Sequence, residues 1–309
     1  MKVTLLAGGT GGTKLAHGFT LLDPPIELTV IANVGDDFEL HGLHVSPDVD
    51  ALLYTLGGLI DADRGWGIRG DTFATLEQLR RLGNDAWFNL GDKDLATHIT
   101  RTQLLNEGLK LAEVTERIGR QLGVRSKLLP MSNERIETRV LTPQGELSFQ
   151  EFFVKERWER EAISVRFVGA EQAHPAPAVL DAIHRAQGII VCPSNPITSI
   201  GPILAVPGIR AALKQASAPV IGVSPIIGAA AISGPAHKLM VASGFEASAL
   251  GIAGCYRDFL DTLLIDDEDC AAVPAFEAFT IRPICTDIRM GDFAAKRRLA
   301  REVLAWVKK

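Results

Sequence analysis

Short apolar runs alternate along the chain with longer runs whose apolar residues recur at helical spacing. Four of the short runs, VTLLAGG, IELTVIANVG, GIIVCPSNP and APVIGVSPI, are rich in Val, Ile and Leu and lead into Gly, Pro or Ser. Such runs are typical of buried strands. The stretch TKLAHGFTLL, between the first two, has helical periodicity. This order predicts a βαβ unit with a right-handed crossover between parallel strands.

Other patterns extend this prediction to the whole chain. Residues 61–123 contain three amphipathic patterns and predict a helical insertion, or cap, with Asp71 as the N-cap of its first helix. RIETRVLTPQGELSFQEFFVK predicts a β-hairpin, and MGDFAAKRRLAREVLAWVKK predicts a terminal amphipathic helix. We therefore expect a single α/β domain over residues 1–309. It should contain an open, mostly parallel, Rossmann-like sheet with helices on both faces, plus the insertion and the hairpin.

Composition narrows the classes of function. The chain has 309 residues, a net charge of -5 and no dense Lys/Arg run, which argues against a nucleic-acid polymer as partner. No apolar stretch reaches the roughly 18 residues of a membrane span. The start, MKVTLLAGG, is too short and strand-like for a signal peptide, so we expect a cytoplasmic protein without membrane contact. The four cysteines lack CxxC spacing and are expected to be free thiols.

A glycine-rich stretch, LLAGGTGGTK, follows the first predicted strand and precedes the first predicted helix. It matches neither a P-loop nor a dinucleotide fingerprint, because Lys14 is followed by Leu and occupies the position of the third fingerprint glycine. Gly8, Gly9, Gly11 and Gly12 could form a plain turn. Alternatively, they bring backbone N–H groups and the positive end of a helix to one anion-binding point, where Lys14 adds a charge.

Carboxylates follow the second predicted strand. Asp36 and Asp37 come directly after IELTVIA, and Asp48 and Asp50 lie in the first turn of a predicted helix that begins at PD. As turn and cap residues they would have only a structural role. However, Asp36 lies at the carboxyl end of a core strand, where open α/β sheets bind ligands. Two carboxylates brought together there would form an oxygen site suited to Mg²⁺ bound to a diphosphate.

Eight motifs occur in order along nearly the whole chain: GGTGGTK, NVGDD, SPDVDALLYTLGG, RGWGI, FNLGDKDLATHI, FQEFFV, PSNPITSIGPIL and SPIIGAA. Together they resemble the 2-phospho-L-lactate transferase family, which performs the transfer step in the synthesis of the deazaflavin coenzyme F420. The resemblance implies a GMP-linked diphosphate ester of a small phosphorylated acid as donor and the deazaflavin Fo as acceptor. The ribityl hydroxyl of Fo then attacks the phosphorus that carries the acid, and GMP leaves.

The resemblance also implies roles for single residues. Asp36 and Asp48 are implied to hold Mg²⁺ and to carry catalysis. LGDKD is implied to lie near the acceptor, and PSNP is implied to hold the nucleotide. The residues expected to bind substrates are Gly9, Gly11, Gly12, Lys14, Asp50, Asp92, Lys93, Ser194 and Asn195. For orienting or deprotonating the acceptor hydroxyl, Asp48, Asp50 and Asp92 remain alternatives.

Two other functions are open to the sequence. A bacterial regulator of the same fold would bind a uridine-linked sugar without catalysis, but FELHG after the Asp pair and the helical insertion favour the transferase. A nicotinamide-dependent oxidoreductase is disfavoured because the third fingerprint glycine is missing. The acid of the donor stays open among phospholactate, phosphoenolpyruvate and phosphoglycerate. We expect a homodimer, because family members suggest one and two-fold contacts are the commonest arrangement.

Overall fold

The computed structural model describes residues 1–228, 230–232 and 234–308. Its central sheet has seven parallel strands, all within this part of the chain. From one edge to the other they are β5 (Lys127–Pro130), β2 (Glu27–Ala32), β1 (Lys2–Ala7), β9 (Gly188–Val191), β10 (Val220–Val223), β13 (Thr262–Ile265) and β14 (Arg282–Cys285). The predicted parallel α/β sheet is confirmed, and three of its strands, β5, β13 and β14, lay outside the prediction.

The central strands are buried because helices cover both faces of a parallel sheet. All four residues of β9 are buried, and all but the first residue of β1. Leu5 of β1 is in register with Val30 of β2 on one side and with Ile190 of β9 on the other. Successive strands are added on one side of β1 as far as β5, and on its other side from β9 onward, so the strand order reverses between β1 and β9. This is the topological switch point, outside which ligands bind in open α/β sheets.

Eleven α-helices surround the sheet in the described part of the chain. They are α1 (Gly9–Thr20), α2 (Pro47–Leu56), α3 (Ala74–Arg81), α4 (Asp92–Asn106), α5 (Leu111–Gln121), α6 (Val179–His184), α7 (Gly201–Ala205), α8 (Ile209–Lys214), α9 (Ala236–Ala242), α10 (Ala249–Tyr256) and α11 (Phe293–Val307). The predicted helical patterns in residues 61–123 correspond to α3, α4 and α5. The predicted terminal helix is α11. None of the described helices has the length and apolar character required to cross a bilayer.

Smaller strands and helical turns complete the fold. The predicted hairpin consists of β6 (Glu137–Thr142) and β7 (Gly145–Ser148), and β8 (Ser164–Val168) adds a third antiparallel strand to it. Two further hairpins pair β3 (Phe38–Leu40) with β4 (Leu43–Val45) and β11 (Ile226–Ile227) with β12 (Ala230–Ala231). A π-helical turn spans Glu151–Lys155, and 3₁₀ segments span Ala170–Gln172 and Asp267–Ala278.

The expectation of four free thiols is wrong for two cysteines. Cys270, in the 3₁₀ segment Asp267–Ala278, and Cys285, at the end of β14, form a disulfide. They are brought together because the 3₁₀ segment packs beside β14, which the sequence spacing does not reveal. Cys192 and Cys255 are free and buried, as expected.

The expected role of Asp71 is also wrong. The N-cap of α3 is Phe73, whereas the Asp71 carboxylate accepts hydrogen bonds from the backbone N–H groups of Lys93 and Asp94 at the start of α4. Asp71 therefore caps α4, the second helix after it, and not α3. Its side chain is buried, and this position holds the start of α4 against the loop before α3.

Candidate active site

A cleft of about 990 Å³ lies over the carboxyl ends of β1 and β9. The segments after five strands of the sheet, β1, β2, β9, β10 and β14, contribute to its walls, together with residues of α2 and α4. Its lining includes charged, polar and glycine residues: Gly9, Lys14, Asp36, Asp48, Asp50, Asp94, His98, Ser194, Asn195 and Arg289. The cleft thus lies at the switch point where the strand order predicts a ligand site.

The glycine-rich turn serves packing as well as the start of α1. A Cβ on Gly11 would overlap the carbonyl oxygen of Pro193, and a Cβ on Gly8 would lie 2.5 Å from Asp48 Oδ2. Gly9 has a φ of 60°, in the left-handed region that favours glycine. These glycines allow the loops after β1, β2 and β9 to meet without side chains between them.

One backbone donor of the turn is already used by the protein. The N–H of Gly9 donates to Asp48 Oδ1 over 2.8 Å. The first four N–H groups of an α-helix have no partner inside the helix, so those of the residues after Gly9 remain for another acceptor. Thr10 and Gly11 line the cleft at this point, together with the Lys14 side chain. The turn can therefore bind an anion beside Asp48.

Asp36 and Asp48 converge on a single amide. Asn33, the residue after β2, directs its Nδ2 at Asp36 Oδ2 (3.1 Å), Asp48 Oδ2 (2.9 Å) and the Thr198 carbonyl (3.2 Å). An amide nitrogen carries two hydrogens, so it cannot satisfy three acceptors at once. The two predicted carboxylates are thus brought together, with more negative charge than Asn33 can compensate.

Burial sets the protonation of this pair. Burial, and then the nearby charge of Asp48, raise the pKa of Asp36 well above its usual range. The Thr138 hydroxyl approaches Asp36 and partly offsets this shift. Its geometry falls short of a hydrogen bond, so Asp36 Oδ1 is buried without a partner. Burial raises the pKa of Asp48 to about 6, although Asn33 and the Gly9 N–H favour its ionised form. A cation at this point would let both carboxylates ionise.

The donor set fits Mg²⁺. Within residues 1–228, 230–232 and 234–308, no three His, Cys, Asp or Glu side chains converge into a cluster that could hold a metal by itself. Mg²⁺ does not need one, because it is commonly bound by one or two carboxylates together with substrate phosphates and water. Asp36, with its unpartnered Oδ1, and Asp48 could supply two such carboxylates, and the backbone N–H groups of the neighbouring turn could hold the phosphates of a ligand.

Asp37, His41 and His44 do not belong to the carboxylate pair. Asp37 Oδ2 is within 3.0 Å of His44 Nε2 and accepts a hydrogen bond from Ser46 Oγ. Asp37 therefore holds the β3–β4 hairpin and the start of α2. His41 lies in the hairpin turn with a φ of 52° and does not line the cleft.

A buried ion pair forms the wall next to the carboxylates. Asp50 in α2 pairs through both oxygens with the guanidinium of Arg101 in α4, whose side chain is fully buried. Arg101 also contacts His98 Nδ1 over 3.2 Å. Asp50 lines the cleft, but both of its carboxylate oxygens are engaged by Arg101.

The face of α4 that packs inward is polar, which sequence reasoning missed. Asp94, His98 and Arg101 follow one another at helical spacing, and all three are buried. Amphipathic helices normally bury an apolar stripe. A helix pattern whose inward face reads Asp, His, Arg is a signal for a site, and it was available in FNLGDKDLATHITR.

Two predicted acceptor contacts do not reach the cleft. The Asp92 carboxylate accepts hydrogen bonds from the backbone N–H groups of Ala74 and Thr75 and caps α3. Lys93 Nζ donates to the carbonyl of Arg69 over 2.9 Å. Neither residue lines the cleft, whereas Asp94, the last acidic residue of LGDKD, does.

The loop after β9 does line the cleft. Ser194 Oγ accepts a long hydrogen bond, 3.4 Å, from the N–H of Gly8 and so joins this loop to the glycine turn. Asn195 Oδ1 accepts from the N–H groups of Ile197 and Thr198, which shapes the turn that follows. The Asn195 amide nitrogen is not used in that turn and is available to a ligand.

Other side chains widen the site beyond the prediction. Trp66 lines the cleft and is 40% exposed, whereas Trp87 packs against Phe38 and Phe88 outside its lining. Arg289, in the loop after β14, lines the cleft from the opposite side and pairs with Asp266 and Glu268. No sequence pattern singled out Arg289.

Comparisons with known proteins identify the family. The family model for "2-phospho-L-lactate transferase CofD" matches residues 3–287. A phosphoenolpyruvate transferase from Streptomyces griseus is 46% identical over 310 residues, covering 98% of each chain. A 2-phospho-L-lactate transferase from Methanococcoides burtonii is 40% identical over 301 residues, covering 97% of this chain and 98% of the relative.

Solved structures support the fold. A UPF0052 family protein from Bacillus halodurans matches with a TM-score of 0.63 at 18% identity, covering 98% of both chains. At that identity the likeness concerns the fold alone. The family model and the curated relatives match nearly the whole chain, and they confirm the family that the motifs resemble. The chain belongs to the 2-phospho-L-lactate transferase CofD family and is an enzyme of that transferase type.

Proposed function

We propose that this enzyme is Mg²⁺-dependent and moves a small phosphorylated acid from a GMP-linked diphosphate to the ribityl hydroxyl of Fo, in coenzyme F420 biosynthesis. The observation that carries the proposal is the convergence of Asp36 and Asp48 on Asn33, beside the first turn of α1. Phosphoryl transfer depends mainly on positioning and on neutralisation of charge. A carboxylate pair beside free backbone donors provides for both.

Each part of the cleft has a distinct task in this proposal. The turn after β1 and Lys14 bind the diphosphate, and the loop with Ser194 and Asn195 binds the nucleotide. Asp36 and Asp48 hold Mg²⁺, which when bound would neutralise charge on the phosphates and the leaving GMP. The α4 side, with Asp94 and His98, is left for the acceptor.

The names of the relatives point to two different acids in the donor. Those named phosphoenolpyruvate transferase are 44–46% identical to this chain, and those named 2-phospho-L-lactate transferase are 40–43% identical. Both alternatives, and phosphoglycerate, share the phosphate and the carboxylate. The proposal therefore covers the three acids as a class.

The test is a coupled reaction with product detection by mass. Purified enzyme is incubated with Fo, GTP, one acid at a time, Mg²⁺ and a guanylyltransferase that makes the donor. We expect a product with the mass of Fo plus the phosphorylated acid less one water, formed together with GMP, and no product when EDTA is added after the donor has been made. A protein that is stabilised thermally by a uridine-diphosphate sugar but not by Fo would contradict the proposal and support a regulator. We also propose a homodimer, to be checked by light scattering.

A further inference from the structure

His98 presents a fixed hydrogen-bond donor to the cleft. Its Nδ1 lies 3.2 Å from Arg101 Nη1. A guanidinium has no lone pair to offer, so a hydrogen between these two nitrogens can only come from Arg101. Nη1 is also directed at Asp50 Oδ2 (3.1 Å) and at the His44 carbonyl (3.4 Å). Because the His44 contact is the longest of the three, we assign the two hydrogens of Nη1 to Asp50 and His98, which leaves Nδ1 unprotonated. The contact from Nδ1 to Asp50 Oδ2 is longer, 3.5 Å. Burial lowers the pKa of His98, which keeps the ring neutral. The single ring proton therefore lies on Nε2.

The proton on Nε2 has no partner in the described part of the chain. His98 is 2% exposed and lines the cleft, so its remaining donor is available there. A donor that reaches the cleft in this way can meet an acceptor atom of a bound ligand. Arg101 is the positioning residue, because it fixes which nitrogen of His98 carries the proton.

Asp94 lies one helical turn before His98 on the same face of α4. It is also buried and lines the cleft, and its Oδ2 accepts a long hydrogen bond, 3.3 Å, from the N–H of Gly91. Residues four apart on a helix are neighbours on its surface. The cleft wall therefore presents an acceptor and a neutral donor side by side.

An aromatic residue lies in a loop that approaches this pair. The loop that contains Trp66 reaches Asp94, since a Cβ on Gly67 would lie 3.7 Å from Asp94 Oδ2. Trp66 lines the cleft. A flat ring can stack on such a side chain while its edge meets the two polar groups.

We propose that Asp94 and His98 recognise the lactam edge of the acceptor's ring, with Asp94 accepting from the ring N–H and His98 Nε2 donating to the adjacent carbonyl. This inference rests on the proposed function. A deazaflavin carries such an edge in its pyrimidine ring, and guanine carries one too. Location favours the acceptor, because the pair lies on α4, whereas Ser194 and Asn195 lie on the loop after β9.

Binding of Fo, followed by its fluorescence, and of GDP, followed by calorimetry, tests the proposal. We expect His98→Leu to weaken Fo binding about tenfold, as for a lost hydrogen bond to a buried group, with GDP affinity unchanged. His98→Gln should restore Fo binding to within about threefold, because its amide can accept from Arg101 and donate to the ligand. Thr100→Ala, on the exposed face of α4, is the matched control.

A ligand change isolates Asp94. Fo methylated at the pyrimidine nitrogen lacks the N–H, so wild type should bind it about tenfold more weakly than Fo. In Asp94→Ala the two ligands should bind equally, while Asp94→Asn keeps part of the preference. A selective loss of GDP binding, equal losses for both ligands, or unchanged Fo binding in folded variants would overturn the proposal. Absence of Fo binding to wild type would instead contradict the proposed function.

Discussion

Asp71 and Asp92 exchange helix caps: Asp71 caps α4, which begins with Asp92, and Asp92 caps α3, which Asp71 precedes. Each carboxylate thus satisfies backbone donors about twenty residues away. The exchange ties the starts of two helices together and holds the first turn of α4 in place. Since Asp94 and His98 follow on the same helix, this pair of caps supports one wall of the cleft.

The buried cap should matter measurably for stability. Asp71→Ala removes the acceptor of two N–H groups at the start of α4, and loss of such a cap typically costs about 1–2 kcal/mol. We expect a lower free energy of unfolding in urea, together with weaker Fo binding. Asp71→Asn keeps an acceptor oxygen and should lose clearly less. Equal stability of wild type and Asp71→Ala would contradict the capping role.

Asp36 should lower stability while it enables function. Because burial and Asp48 raise its pKa, the folded protein binds this proton more tightly than the unfolded chain does. The Asp36 carboxyl group therefore destabilises the metal-free fold at neutral pH, where the unfolded chain has released this proton, and the cost is relieved as the pH falls. Asp36→Asn should raise the melting temperature in EDTA by about 2–4 °C.

The same variant should lose turnover and the stabilisation by Mg²⁺. Wild type in EDTA should gain stability between pH 7 and pH 5, because the pKa of Asp48 is about 6 and that of Asp36 is also raised. Differential scanning fluorimetry with and without Mg²⁺ measures both effects. Mg²⁺-dependent turnover close to that of wild type in Asp36→Asn would exclude Asp36 as a ligand.

Gly11 is required for packing. Since a Cβ at this position overlaps the Pro193 carbonyl, the loop after β9 must move in Gly11→Ala, and overpacking of this kind typically costs about 1–3 kcal/mol. We expect lower thermal stability and weaker nucleotide binding together. Gly254→Ala is the matched control, because its new Cβ meets only ordinary contacts and lies inside α10. A fully stable Gly11→Ala would show that the two loops are not fixed to each other.

Asn195 can be divided into its two functional groups. Asn195→Asp keeps the oxygen that accepts from Ile197 and Thr198, and it removes the amide donor. We expect both Asn195→Asp and Asn195→Ala to weaken GDP binding, but only Asn195→Ala to lower the melting temperature. Calorimetry and thermal unfolding separate the two effects. Full GDP affinity in Asn195→Asp would move the nucleotide away from this amide.

The sequence predicted the strands that have a clear apolar pattern. β1, β2, β9 and β10 are continuous runs of Val, Ile and Leu, and all four occur as expected. β5 and β14 have four residues each and contain Pro, which counts against a strand in a pattern. β13 is a short apolar run that periodicity cannot distinguish from a buried helix segment.

Site residues were predictable where they lie at the ends of predictable elements, and they were not where contacts between distant segments place them. Asp36 and Asp48 were found because each lies at the end or start of a predictable element. Asp92 was assigned to the acceptor side because the family resemblance implied that LGDKD lies near the acceptor, but its carboxylate turns away to cap α3. Arg289 enters the site through contacts between distant segments, which a single sequence does not encode in any short pattern.

The position of β1 in the sheet has a consequence for synthesis. One neighbour, β2, follows it closely, but the other, β9, begins only at Gly188. At the usual rate of about 5–20 residues per second, the ribosome needs roughly 10–40 s to supply that partner. During this time one edge of an apolar strand is open on the nascent chain. The loops after β1 and β9, which both line the cleft, can therefore meet only late in translation, and a chaperone that covers that edge would increase the yield of active enzyme.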